Sequence, residues 1–333
     1  MSIHVVAHSI SRSVWERFWK RPFAARVLAV FEHACNLVTP DGHMVALVLP
    51  QIGDGPLNVV MYGRPGDFAA VEPGMPARLE GGRLQVGGLE VVLERAVVWE
   101  PRPDWDRLRA HLDGIKSRLP LLWTLSMRHA PASSLLPLAW GWAGGPNHSV
   151  EAGFAAGALA RVAREAAEAL RTGWEGDPGR LREGAAQLAG LGSGLTPAGD
   201  DFLTGAMLWA WLAHSNPPVF CHTLVAAAAP RTTTLSAAFL RAAAEGECNA
   251  SWHRALAALG EGTEDVLARS TREVLAHGAT SGADMLAGFL WMAPHITQIA
   301  QHPPDRRSAH VSRPDRFPRI SSLEAPFVTR QLC

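Results

Sequence analysis

The apolar positions of this chain change their period soon after residue 100. Before that point they come in short, branched runs: Val27 to Phe31, His43 to Leu49, Leu57 to Met61, Leu89 to Leu93 and Ala96 to Trp99. Turn residues separate them. Thr39-Pro-Asp-Gly42 is a strong turn, and Gly81-Gly82 and Gly87-Gly88 punctuate the later segments. Strands this short, broken by glycine, predict a β-rich barrel or sandwich rather than a βαβ sheet. No glycine-rich loop joins a strand to a helix in this part, so a dinucleotide fold has no support.

After Pro101-Arg-Pro103, alanine and leucine dominate and the period becomes helical. Ser149 can cap a helix from Val150 to about Arg171, with Phe154, Ala158, Val162 and Ala166 at helical spacing. Asp177-Pro178 is a cap followed by a first-turn proline and opens a helix to about Leu188. Further helices are predicted from Asp200 to Ala213, Val219 to Ala229, Thr233 to Ala244, Ser251 to Leu259, Thr263 to His277 and Ala283 to Met292. The expected fold class is α+β: a β-rich domain over residues 1–103, then an α-helical domain over 104–300. Residues 301–333 hold prolines and arginines without apolar period and read as an extended or disordered tail.

Composition narrows the partners. The formal net charge is +0 and the pI about 7.3, so nothing draws the chain as a whole toward nucleic acid or an anionic membrane. Cys35, Cys221, Cys248 and Cys333 show no paired spacing, which argues against structural zinc or a disulfide framework and fits a reducing cytoplasm. The N-terminal stretch meets Arg12 and Glu16 before any long apolar run, unlike a secretory signal. Phe202 to Ala213 and Met285 to Ala293 are too short to span a bilayer. A cytoplasmic protein without nucleic-acid or membrane partners is expected.

The chemistry concentrates between Gly190 and Gly205, where Gly190, Gly192, Gly194 and Gly199 precede Asp200 and Asp201. Such a loop exposes successive backbone amides that can cradle a phosphate or carboxylate, and Thr196 adds a hydroxyl. The helix beginning near Asp200 adds its unpaired N–H groups. The segment Gly199-Asp-Asp-Phe-Leu-Thr-Gly205 recurs as Gly282-Ala-Asp-Met-Leu-Ala-Gly288, which puts Asp201 and Asp284 at matching places. Gly205 and Gly288 fall inside helices, where glycine is unfavourable, and predict a close crossing that brings the two aspartates together. Two readings stay open. Either Mg²⁺ bridges Asp200, Asp201 and Asp284, or Asp200 merely caps its helix while Asp201 holds a donor group on the substrate.

Arg231-Thr-Thr-Thr-Leu-Ser236 offers Arg231, Thr232 and Thr233 to an anion, although capping alone explains one threonine. Thr280 and Ser281 border the second aspartate loop, where a plain turn is the alternative. His148 is an acid–base candidate against the plainer reading of a structural or solvated histidine. Trp209, Trp211 and Trp291 have apolar neighbours and read as packing groups rather than stacking platforms. No Ser-His-Asp order, His-Glu-x-x-His or Walker loop is present, so the candidate groups suit orienting an anion better than forming a covalent intermediate.

The Gly192-to-Gly205 block closely resembles the glycine-leucine-threonine-proline-serine-glycine-aspartate-aspartate block of a bacterial family long known only as a domain of unknown function. That family is associated with one subunit of oxamate carbamoyltransferase, a multi-subunit enzyme of anaerobic allantoin breakdown. Gly278 to Gly288 resembles the family's second block, and Thr232 to Ser236 its threonine-to-serine helix start. The resemblance spans about Val27 to Met292. Ala198 stands where the family usually has serine, and Ala279 where histidine is frequent. The resemblance implies partner subunits and transfer of a carbamoyl group between carbamoyl phosphate and oxamate, with oxalurate and phosphate on the other side. The alternatives are a scaffold subunit without catalysis, or a stand-alone phosphate- or Mg²⁺-dependent enzyme on small metabolites.

Overall fold

A computed structural model describes residues 3–18, 23–142 and 154–293. Its first part is β1 (Ile3–Ser11), α1 (Arg12–Phe18), β2 (Phe23–Val30), β3 (Ala34–Val38), β4 (Met44–Val48), β5 (Asn58–Met61), β6 (Pro76–Glu80), β7 (Arg83–Val86), β8 (Leu89–Val92) and β9 (Val97–Trp99). The strand order is β5-β4-β3-β2-β6-β7-β8-β1-β9, and β5 also pairs with β1. That last pairing closes eight strands into a barrel, with β9 outside the ring beside β1. Of the two all-β forms expected, the barrel is the one adopted.

The core follows from side-chain alternation. Val27, Leu37, Leu47, Met61, Ala77, Leu84, Val86 and Val91 point inward and are at most 1 % exposed. Exposed partners alternate with them on β6 and β7, whereas β3, β4 and β5 are buried almost throughout. Part of the reason is that the outer faces of Val38 and Met44 pack on Leu235 and Ala238 of the helical part.

The helical part comprises α2 (Trp105–Ala110), α3 (Leu112–His129), α4 (Leu135–Trp142), α5 (Phe154–Trp174), α6 (Pro178–Leu188), α7 (Ala198–Ala213), α8 (Pro217–Ala228), α9 (Thr234–Ala244), α10 (Ala250–Glu261), α11 (Glu264–Leu275) and α12 (Ser281–Met292). Several starts are capped as their residues demand. The Asp177 carboxylate accepts from the N–H groups of Gly179 and Arg180, while Thr233 and Thr263 cap α9 and α11. His148, the Ser149 cap and residues 301–333 lie outside the described residues.

α7 and α12 form the centre. From Gly199 to Leu212, and from Gly282 to Met292, every residue is buried. Helices apolar all round belong inside a bundle. They cross at the two glycines foreseen: an added Cβ on Gly205 would lie 1.8 Å from the Met285 carbonyl oxygen, and one on Gly288 would lie 1.9 Å from that of Phe202. The preceding helices repeat the device. A Cβ on Gly199 would meet the Leu188 carbonyl oxygen at 2.0 Å, and one on Gly282 that of Val274 at 1.8 Å. The repeated sequence is thus a repeated packing unit, α6–α7 and α11–α12, whose central helices meet reciprocally.

The tryptophans are packing groups. Phe289 receives the rings of Trp209 and Trp252 at centroid distances of 5.2 and 5.3 Å, and Trp211 donates its indole N–H to the Ala243 carbonyl at 3.1 Å. Barrel and helices are joined by the bond from the Ala250 N–H to the Asp54 carbonyl at 3.0 Å, and by the His253 Nε2 contact with the Pro101 carbonyl oxygen at 3.0 Å. No described helix is long and apolar enough to cross a membrane.

Candidate functional site

The glycine loop is shaped by its own backbone needs. Gly190, Gly192 and Gly194 have φ of 72°, 119° and 95°, values that side chains rarely tolerate. Gly190 and Gly192 also lie against other backbone: an added Cβ would be 2.8 Å from the Arg231 carbonyl oxygen and 2.9 Å from the Ala198 nitrogen, respectively. Gly194 faces open space. The loop closes with a bond from the Gly199 N–H to the Leu191 carbonyl at 2.9 Å, and α7 begins at Ala198.

Asp200 is not the helix cap that its position suggested. Pro197 occupies that place, without a side-chain bond to the helix. The Asp200 carboxylate turns to the loop, where it accepts from the Gly190 N–H at 3.0 Å and from the Thr232 hydroxyl. Burial raises its pKa, while Thr232, Gly190 and Ser236 oppose the rise. Thr233 donates to the Leu195 carbonyl at 2.6 Å, and Ser236 to the same oxygen at 3.4 Å. The threonine-to-serine helix start therefore holds the glycine loop to α9. Asp200→Ala should cost about 1 kcal/mol of stability by leaving these half-buried donors without their acceptor, and Thr232→Val somewhat less. Urea denaturation of both variants checks this; a loss below about 0.5 kcal/mol for Asp200→Ala would contradict the tether.

Asp201 and Asp284 occupy the same position, the fourth residue, of α7 and α12. Asp284 is fully buried. Its Oδ1 accepts from the Leu135 N–H at 2.6 Å, at the start of α4. Burial pushes its pKa up to about 6, against the stabilising Leu135 N–H and Thr280 hydroxyl. Asp201 is 9 % exposed. Burial holds its pKa well above the carboxylate range; Ser281 opposes this, and the charges of Asp284 and Asp200 add to it. The Oδ2 atoms of Asp201 and Asp284 are both buried without a hydrogen-bond partner among the described residues. Thr196 and Ser281 approach each other, hydroxyl to hydroxyl, at 3.3 Å, which ties the glycine loop to the first turn of α12.

Arg231 stands apart. It is exposed, and its guanidinium donates to the Ala227 carbonyl at 2.8 Å, covering the end of α8. Among the described residues, no group of three or more His, Cys, Asp or Glu side chains could hold a metal ion. Leu135 is the contact that sequence reasoning missed. Its one local signal was Ser133-Ser134 before an apolar run, a helix start that brings N–H groups to a carboxylate.

The first turns of α7 and α12 each carry a buried carboxylate with one unpartnered oxygen, and the Thr196 and Ser281 hydroxyls approach each other beside the start of α12. Such a set can donate hydrogen bonds to an anion while the carboxyls hold protons, and accept a proton when they do not.

No solved structure matches the chain. Residues 6–98, most of the barrel, match the family model for the AllH family N-terminal domain. Residues 188–293, from the end of α6 through α12, match that for oxamate carbamoyltransferase subunit AllH, so the chain belongs to the AllH family of oxamate carbamoyltransferase subunits.

Proposed function

We propose that the glycine loop and the first turns of α7 and α12 bind the small anionic substrates of carbamoyl transfer within that multi-subunit enzyme. The observation that carries this reading is the pair of buried, unpartnered Oδ2 atoms on Asp201 and Asp284. An unsatisfied buried polar group is costly, and a chain that keeps two at equivalent places has a use for them when a ligand arrives. With both pKa values raised, the two carboxyls hold their protons to higher pH than ordinary aspartates do. A protonated carboxyl donates to an oxyanion or carbonyl that a carboxylate would repel.

In the phosphorolytic direction, a phosphate oxygen attacks the carbamoyl carbon of oxalurate. The bond from that carbon to the oxamate nitrogen breaks, and the nitrogen takes a proton. Asp201 or Asp284 supplies that proton and recovers it from the phosphate hydroxyl, leaving oxamate and carbamoyl phosphate. Thr196, Ser281 and the loop amides orient the anion. Arg231 contributes attraction from outside rather than a contact.

The test is calorimetric titration of the chain, alone and with its partner subunits, using carbamoyl phosphate, oxamate and phosphate, each with and without Mg²⁺. Asp201→Asn should weaken binding about tenfold or more, equivalent to losing one charge-assisted hydrogen bond, while the protein stays folded. Binding unchanged by Asp201→Asn would remove Asp201 from the site. Failure of every ligand under every condition would leave a scaffold subunit as the better reading. Binding that appears only with Mg²⁺ would favour an ion held between the carboxylates.

A further inference from the structure

The two unpaired carboxyl oxygens belong to facing sides of α7 and α12. A Cβ on Gly205 would run into α12 at the Met285 carbonyl, and one on Gly288 into α7 at that of Phe202. Residues four apart share one face of a helix. Asp201 precedes Gly205 by one such step and Asp284 precedes Gly288 likewise, so each carboxyl stands on the side that meets the other helix. The two helices also start side by side: the Thr196 hydroxyl, just before α7, lies 3.3 Å from that of Ser281, the first residue of α12. Both aspartates therefore stand between the hydroxyl contact and the glycine crossing. Burial raises the Asp201 pKa most, and the Asp284 charge adds to it, as two carboxyls in one place would.

Their buried neighbours Phe202, Ala283 and Met285 are apolar, and among the described residues no arginine, lysine or histidine pairs with either carboxyl. A buried place without a cation holds the charged end of an anion poorly. It suits an uncharged group that brings its own N–H. The two carboxyls are not alike. Asp284 accepts the Leu135 N–H on Oδ1 at 2.6 Å, a bond that favours its ionised form, and its Oδ2 is then a free acceptor. Asp201 receives no backbone N–H, and burial keeps its proton more firmly. One acceptor beside one O–H donor is the complement of an amide, which offers N–H and C=O.

We infer that this pair recognises the carbamoyl group itself, Asp284 accepting from its amino group and Asp201 donating to its carbonyl oxygen, and so selects carbamoyl donors against acetyl donors of the same size. The inference rests on the reading that the glycine loop and the helix starts bind the anionic substrates. The phosphate or carboxylate end stays with the loop amides and the Thr196 and Ser281 hydroxyls, and the uncharged end reaches the carboxyls. A methyl group in place of the amino group leaves the Asp284 Oδ2 atom buried and unpaired. Sites that hydrogen-bond a substrate N–H reject such analogues strongly.

The experiment compares two stable phosphonates that differ in that one group, phosphonoacetamide and acetonylphosphonate, with inorganic phosphate as the probe of the anionic end. Calorimetry is run on the full chain together with its partner subunits, for wild type, Asp284→Asn and Asp201→Asn. Wild type is expected to bind the amide about a hundredfold more tightly than the ketone. Asp284→Asn keeps an oxygen for the Leu135 N–H but turns the free acceptor into a donor, and should reduce that preference about tenfold or more. Asp201→Asn keeps a donor for the carbonyl and should leave the preference within about threefold of wild type. Thermal midpoints show whether the variants are folded, and the wild-type comparison stands without them. Equal binding of the two phosphonates by wild type, or a preference that ignores Asp284→Asn, overturns the inference and leaves the anion site in place. If wild type binds neither phosphonate nor phosphate, the anion-site reading falls, and the inference falls with it.

Discussion

Gly288→Ala is expected to destabilise the protein by about 3 kcal/mol, and Gly205→Ala by a similar amount, near the top of the usual range for overpacking. The added methyl has no flexible neighbour to displace. It meets a carbonyl oxygen of the facing helix at 1.9 Å for Gly288 and 1.8 Å for Gly205, so whole helices must separate. Both helices are buried along their length, and their separation opens voids against Trp209, Phe289 and Trp252. Gly114 is the control. It lies on the exposed face of α3 with nothing near its missing Cβ, and Gly114→Ala should stabilise by about 0.5 kcal/mol through helix propensity. Urea denaturation of the three variants tests the contrast. A loss under about 0.5 kcal/mol for Gly288→Ala would mean that the crossing is loose.

Asp284 is expected to make ligand-free stability fall as pH rises. Its folded pKa, about 6, lies above the ordinary value of 3.8. Below the lower value both folded and unfolded chains hold the proton, and the stability is fully present. Between the two values the unfolded chain releases its proton first, so stability drops; above about 6 it levels off, roughly 3 kcal/mol lower. Asp200, Asp201 and Glu247 add the same sign, since their pKa values are also raised, whereas exposed Asp41 and Glu261 and half-buried Glu90 have lowered values and the opposite sign. The Asp284→Asn variant isolates the one group, because asparagine does not titrate. The stability difference, wild type minus variant, should decline by roughly 2.4 kcal/mol between pH 4 and pH 7. A flat difference would show that Asp284 titrates alike in both states. An anionic substrate that accepts from the Oδ2 proton should raise the folded pKa further and extend the decline to higher pH.

Local chemistry made much of this legible. Asp177-Pro178 and Thr263 announced helix starts because capping is decided within a few residues. Gly205 and Gly288 announced the crossing because a glycine inside a buried helix has few other reasons to be there. The strands were harder. β1 carries Ala7, Ser9 and Ser11 buried, small and polar groups that break any apolar alternation. β6 and β7 show only Ala77, Leu79, Leu84 and Val86 inward, between charged or polar outward neighbours, and so offer no apolar run to mark them. Asp200 was misjudged because its partners lie 10 and 32 positions away, Gly190 at the far end of its own loop and Thr232 just before the Thr233 cap of α9. The Leu135 bond to Asp284 crosses 149 positions, and no local pattern encodes such a contact.

The closure of the barrel sets an order on synthesis. β1 is made first, yet each strand that borders it, β5, β8 and β9, is made later. As the chain emerges from the ribosome, Ile3–Ser11 must wait unpaired while β2, β3 and β4 zip together as neighbours. Only when β8 has emerged, at Val92, can the ring be sealed, so this domain carries the slow, long-range pairing that burdens folding of all-β topologies. Until then both margins of the growing sheet offer bare N–H and C=O rows to any other nascent chain. A fragment ending before β8 should therefore associate with copies of itself, and the intact ring should not.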